Sequence, residues 1–149
     1  MPSQQEPTPE AITPAPPVAA PVENKPADGA GKKAVLIVED ERPLAHALEM
    51  KLKNEGYVTH TCMNGTDALA ELEKGGYGLV LLDLIMPVMD GFGVLAEMQQ
   101  RKYGVPAIVL SNLGQEEDRL KTKQLGALDY FVKSNTPIAQ IVQRVKTVL

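Results

Sequence analysis

Four short stretches of this sequence are apolar without interruption: Val35 to Val38, Leu79 to Leu82, Ala107 to Leu110 and Tyr130 to Val132. A strand with one wet face would alternate apolar and polar residues. Continuous runs of this length read instead as strands buried on both faces, the pattern of a parallel sheet covered by helices. A fifth stretch, Val58 to Cys62, is rich in β-branched residues and alternates somewhat, so it reads as a more exposed edge strand.

Between these stretches lie segments of helical period with recognisable ends. Arg42 to Glu55 repeats Leu44, Leu48 and Leu52, carries Pro43 where an early helical position tolerates it, and stops at Gly56. Thr66 or Asn64 can cap a short helix that turns Ala68, Leu69 and Leu72 inward before Gly75 and Gly76. Asp90 and Gly91 open a third helix, Glu116 to Leu125 forms a fourth, and Pro137 precedes a fifth with Ile138, Ile141, Val142, Val145, Val148 and Leu149 on one face. Strand and helix thus alternate from Ala34 to Leu149, which predicts a doubly wound α/β domain over 34–149 with helices on both faces of the sheet. Pattern alone does not order its strands. No output domain is expected after the fifth helix, where the sequence ends.

The first 33 residues hold eight of the twelve prolines and no aromatic residue. Proline lacks a backbone donor and biases its predecessor towards extended conformations, so 1–33 reads as a disordered Pro/Ala-rich tail, a linker or a docking segment. A net charge of -4 gives no electrostatic excess for holding DNA or an anionic membrane. Cys62 is the single cysteine, which precludes an internal disulfide and points to a reducing, cytoplasmic setting. No apolar run approaches the roughly 20 residues of a membrane span, and the N-terminus has no signal-peptide pattern.

In a parallel sheet the carboxyl ends of all strands converge on one edge, where ligands bind. Here that edge receives Glu39 and Asp40 after the first strand, Asp83 after the third, Ser111 after the fourth and Lys133 after the fifth. Each alone has an ordinary explanation: an aspartate after a strand forms turns or caps helices, a serine caps, a lysine is solvated. Together they are a constellation. Clustered carboxylates repel one another unless a cation sits among them, and an oxygen-only donor set suits Mg²⁺. Lys133 adds a second positive charge and Ser111 a donor for the same anion, so the chemistry indicated is phosphoryl transfer with a carboxylate as nucleophile.

The segments VLIVEDE at 35–41, LVLLDLIMPVMDG at 79–91, PAIVLSN at 106–112 and GALDYFVKS at 126–134 resemble the receiver domain of bacterial two-component response regulators. The resemblance implies a flavodoxin-like strand order 2-1-3-4-5. It implies that Asp83 accepts a phosphoryl group from a sensor histidine kinase or histidine phosphotransfer protein, with Asp40, Asp83 and the Ile85 backbone carbonyl binding Mg²⁺ and Glu39 acting through a water. It assigns Lys133 to the phosphoryl oxygens, Ser111 to a switch hydroxyl and Tyr130 to an aromatic switch that turns inward afterwards. The protein would then be a phosphoacceptor rather than an enzyme, reading out through a separate protein that meets the surface near the fourth helix, fifth strand and fifth helix. No direct contact with nucleic acid or membrane is implied. Charges at Glu116, Glu117, Asp118, Arg119, Lys121 and Lys123 read as a solvated face, with pairing across a phosphorylation-dependent homodimer as the alternative.

Three positions depart from the family pattern. Ser134 follows Lys133 where proline is usual, often after a cis bond that costs roughly 3 kcal/mol without proline, so the loop bears that cost or takes another path. Asn112 stands where a small residue is common, and Glu39 where aspartate is commoner. Ile85 and Leu113 hold the two positions that flank the family's attacking water, and neither can activate it, which predicts a long-lived aspartyl phosphate. Two other readings stand beside this one. A receiver-like docking module independent of phosphorylation would keep the fold and lose the switch. A flavin binder or small hydrolase would need a phosphate loop after the first strand, or a histidine at the carboxyl edge, and neither His46 nor His60 lies there.

Overall fold

The computed structural model describes residues 34–149. The expected tail at 1–33 lies outside the described residues.

Five parallel strands, β1 (Ala34–Val38), β2 (Val58–Cys62), β3 (Leu79–Asp83), β4 (Ala107–Ser111) and β5 (Asp129–Val132), form one sheet in the order β2-β1-β3-β4-β5. Five helices connect or follow them: α1 (Arg42–Asn54), α2 (Gly65–Lys74), α3 (Gly91–Arg101), α4 (Glu116–Gln124) and α5 (Ile138–Val148). This is the doubly wound α/β architecture expected from the apolar runs.

The runs split by parity between two cores, because successive side chains of a strand point to opposite faces. Leu36, Val38, Val80, Leu82 and Val109 pack with Ala68, Leu69 and Leu72 of α2 and Val94, Leu95 and Met98 of α3. Val35, Ile37, Leu79, Leu81, Ile108 and Leu110 pack on the other face with Ala45, Leu48 and Leu52 of α1 and Ile141, Val142 and Val145 of α5. α4 is held differently: Thr122 is its one buried residue, and of the charged residues noted from sequence all but the half-buried Asp118 are exposed.

One strand departs from its reading. Tyr130 to Val132 read as buried on both faces, yet β5 is the second edge of the sheet, and Phe131 and Val132 are only partly buried. An unbroken apolar run records that helices cover both faces; it carries no information on whether a strand lies on each side.

Helix ends place the site. Asn64, not Thr66, caps α2 by accepting a hydrogen bond from the Asp67 N–H at 2.9 Å. Asp90 caps α3 by accepting from the Gly93 N–H at 2.9 Å. At Gly91 an added Cβ would lie 2.3 Å from the Asp83 carbonyl oxygen, so glycine is what lets α3 start directly against the end of β3. Its N–H donates to the Leu84 carbonyl at 2.9 Å, fixing the turn that follows Asp83.

Candidate functional site

The carboxyl edge gathers the expected side chains. Glu39 follows β1, Asp83 ends β3, Ser111 ends β4 on the next strand, and Lys133 follows β5. Glu39 is 1% exposed, Asp83 4% and Ser111 fully buried, while Asp40 is half-buried.

Lys133 reaches inward from the far edge of the sheet. Its Nζ lies 3.1 Å from Asp83 Oδ2 and donates to Glu39 Oε2 at 2.9 Å, with 8% of its side chain exposed. Every peptide bond among the described residues is trans, and a single 3₁₀ turn, Lys133–Asn135, carries the chain away from β5. Without proline at 134 the loop therefore takes another path, and the lysine still spans the sheet edge.

Burial pushes the Glu39 carboxyl up to about 7, assisted by the negative charge of Asp83 and opposed by the hydrogen bond from Lys133. For Lys133 burial disfavours the ammonium, but Glu39 and Asp83 outweigh it and hold its pKa above the ordinary lysine value.

The donors fit a hard cation. One carboxylate oxygen from each of Glu39, Asp40 and Asp83 can be chosen so that all lie within 4.8 Å of one another. Glu39 Oε1 is buried, lies 2.9 Å from Lys133 Nζ, and has no hydrogen bond of acceptable geometry. A buried carboxylate oxygen left without such a bond is unusual and suits a ligand that needs no hydrogen. Ile85 is held at this rim by its N–H, which donates to Asp83 Oδ1 at 3.3 Å, while its side chain is exposed.

The loop after β4 joins the site to the edge of the sheet. The Ser111 Oγ accepts from the Leu113 N–H at 3.1 Å, and the Tyr130 hydroxyl donates to the Leu113 carbonyl. Tyr130 lies inward here, 7% exposed, with the Arg119 guanidinium 4.9 Å from its ring centroid. Asn112, between the two ends of that link, is exposed.

Two contributors went unremarked in the sequence. Glu41, the third acid of the Glu39-Asp40-Glu41 run, places Oε1 3.5 Å from Lys133 Nζ. Its visible signal was the run itself, but an acid just before a helix has an ordinary explanation in the helix dipole. Leu113 was noted for its side chain, whereas its peptide groups make the link between Ser111 and Tyr130, which nothing in a sequence announces.

Residues 35–146 match the family described as the response regulator receiver domain. The chain is 38% identical over 118 residues to the probable transcriptional regulator ycf27 of Pyropia yezoensis, covering 79% of this chain and 48% of that protein. It is 35% identical over 122 residues to the transcriptional regulatory protein ResD of Bacillus subtilis, covering 82% and 50%. It thus spans about half the length of the curated relatives it matches. Among solved structures, the response regulator protein TrrA of Thermotoga maritima, in complex with Mg²⁺ and BeF, superposes with a TM-score of 0.70 at 32% identity, covering 78% of this chain and 99% of that one. The receiver domain of Francisella response regulator 1452 does so at 0.74 and 26%, covering 78% and 95%. The family match begins in β1 and ends in α5, taking in every segment that builds the pocket around Asp83, and the chain belongs to the response regulator receiver domain family.

Proposed function

We propose that this chain takes a phosphoryl group from a phosphohistidine, on a sensor histidine kinase or a histidine phosphotransfer protein, onto Asp83, and that the modification changes a surface read by a separate protein. The observation that carries this reading is the buried Lys133 ammonium 3.1 Å from Asp83 Oδ2, at an edge where Glu39 and Asp40 supply the donors for Mg²⁺.

An Asp83 carboxylate oxygen attacks phosphorus, the bond from phosphorus to the donor nitrogen breaks, and the histidine leaves with its electron pair. Lys133 neutralises charge on the transferring oxygens, and its partners Glu39 and Asp83 hold its Nζ where those oxygens arrive. Asp40 and Asp83 would hold Mg²⁺ with the Ile85 carbonyl, and Glu39 through a water; when bound, the ion neutralises the phosphoryl oxygens that Lys133 does not reach. Ser111, fully buried on the adjacent strand, carries a hydroxyl that would turn to donate to the new phosphoryl group while its oxygen accepts from Leu113.

That new bond tightens a link already made, since Leu113 also accepts from Tyr130. Phosphorylation then raises the population of an arrangement the unmodified chain already visits, and α4 with its single buried residue is the element free to follow. Moving such an equilibrium from about 1:99 to 99:1 requires roughly 5.5 kcal/mol of preference. The domain spans 34–149, works in the cytoplasm, and acts as a phosphoacceptor rather than an enzyme. No helix among the described residues is long and apolar enough to cross a membrane. With Ile85 and Leu113 beside the attacking water, the aspartyl phosphate persists far beyond seconds when no phosphatase is present.

Intact-mass measurement after incubation with acetyl phosphate and Mg²⁺ tests the reading. The expected result is a gain of about one phosphoryl group that requires Mg²⁺ and is absent in Asp83→Asn. No gain in the folded wild-type chain would overturn it and favour the phosphorylation-independent docking module.

A further inference from the structure

We infer that Glu41 is a charge filter at the mouth of the Asp83 pocket, slowing phosphoryl transfer from free dianionic donors relative to donors of lower negative charge. This rests on the proposed role of Asp83 and concerns which donors it accepts.

Three carboxylates surround Lys133 Nζ, and they are not equivalent. Glu39 and Asp83 approach to 2.9 and 3.1 Å with 2% and 5% of their side chains exposed. Glu41 stands at 3.5 Å with 54% of its side chain exposed. The first two form the inner wall of the pocket and Glu41 its solvent side. Its backbone is tied to the site, because its N–H donates to Glu39 Oε2 at 3.1 Å. Its carboxylate is not tied to the helix it precedes: Glu41 is the N-cap residue of α1 but makes no side-chain capping bond. The carboxylate at this N-cap position thus faces the lysine rather than the helix.

The consequence is electrostatic. A donor reaching Asp83 brings its phosphoryl oxygens towards Lys133 and so towards Glu41. The buried carboxylates can be offset by the cation they are placed to hold, whereas Glu41 lies outside the Glu39, Asp40 and Asp83 group and stays as fixed negative charge. Its repulsion scales with the charge of the donor. Acetyl phosphate is a dianion near pH 7, while phosphoramidate carries one net negative charge, so the two probe the filter at the same nucleophile. In either case Asp83 forms the bond to phosphorus, and acetate or ammonia leaves with the electron pair, ammonia taking a proton.

The test compares initial rates of Asp83 phosphorylation by the two donors in the full chain and in Glu41→Gln, with Mg²⁺, at low ionic strength and at 1 M salt. Two unit charges about 4 Å apart in a water-like dielectric are worth about fivefold, so Glu41→Gln should gain about fivefold with phosphoramidate at low salt and, because the energy doubles for a dianion, about 25-fold with acetyl phosphate. At 1 M salt, where the screening length is about 3 Å, both gains should shrink towards none. Glu41→Lys should exceed Glu41→Gln in the same order, and Glu41→Asp should keep the wild-type preference. Because the side chain makes no capping bond and is more than half exposed, the unfolding midpoints of Glu41→Gln and Glu41→Asp should stay near wild type, and these two keep the idea testable if Glu41→Lys, with a second ammonium beside Lys133, folds poorly. Equal gains with both donors, gains indifferent to salt, or no gain with acetyl phosphate would overturn the filter. A wild-type chain labelled by neither donor would instead remove the phosphoacceptor reading, and the filter with it.

Discussion

Lys133 and Asp83, fifty positions apart in sequence, meet at 3.1 Å at the carboxyl edge of the sheet. Neither could be buried there alone. An isolated ammonium or carboxylate loses several kcal/mol of solvation on leaving water, and mutual attraction with good hydrogen bonds offsets that cost. The pair also explains why Glu39 is the uneasy member of the group: it shares the same lysine, and Asp83 adds repulsion to the effect of burial.

That unease has a pH signature. The folded Glu39 carboxyl is pushed up to about 7 from an ordinary 4.5. Between those values the folded chain binds a proton that the unfolded chain releases, so this group makes stability rise as pH falls through about 7. Urea unfolding of EDTA-treated protein from pH 8 to pH 5 should show the rise, and Glu39→Gln should flatten it. A wild-type stability that falls over this range, with Glu39→Gln falling in parallel, would contradict the assignment.

Tyr130→Phe removes one hydroxyl and little else. The Leu113 carbonyl then loses its side-chain donor, which predicts a loss of about 1 kcal/mol. The local effect should be larger than the global one: hydrogen exchange should quicken more at the Leu113 amide, which donates to Ser111, than at the amides of β1, which report only the global loss. Uniform acceleration across the sheet would show that the tyrosine serves the core rather than the loop.

The sequence reading and the structure diverge where covalent order says nothing about neighbours. Val58 to Cys62 matched its strand end to end, and the apolar runs of β1, β3 and β4 matched because faces covered by helices leave a compositional trace. Which strand pairs with which leaves none, since backbone donors and acceptors are the same for every residue but proline. The order came from the resemblance, and the edge position of β5 escaped the pattern altogether. At the site, the strand-end rule brought Glu39, Asp40, Asp83, Ser111 and Lys133 to one edge, as the structure does. It could not rank Glu41, whose role depends on how far a lysine reaches from three strands away, nor find a tyrosine already turned inward onto a peptide carbonyl.

Cys62 ends β2, buried at 4% exposure, with its thiol pushed up to about 12 by burial and by the nearby charges of Glu71 and Asp67. At pH 8 the thiolate fraction is on the order of one in ten thousand, and the thiolate is the reactive form. A chromogenic disulfide reagent should therefore titrate no thiol in the native chain over hours and one thiol at once in denaturant. Rapid reaction in the native state would mean that the β2 edge opens far more readily than its packing indicates.

Val88 sits on the turn between β3 and α3 with φ at 72° and 83% of its surface exposed. A β-branched side chain is poorly suited to the left-handed region, where Cβ crowds the following carbonyl, and exposure denies it any packing in return. The conformation persists because both flanks are pinned, Ile85 to Asp83 on one side and Gly91 to the Leu84 carbonyl on the other. Val88→Gly should relieve the strain and stabilise the chain by about 1 kcal/mol, less whatever the unfolded state gains in entropy from glycine. Val88→Ala, which keeps a Cβ, should gain much less. If both variants prove destabilising in urea titrations, the valine side chain is making contacts that this turn conformation does not provide, and the positive φ is not what the sequence tolerates at a cost.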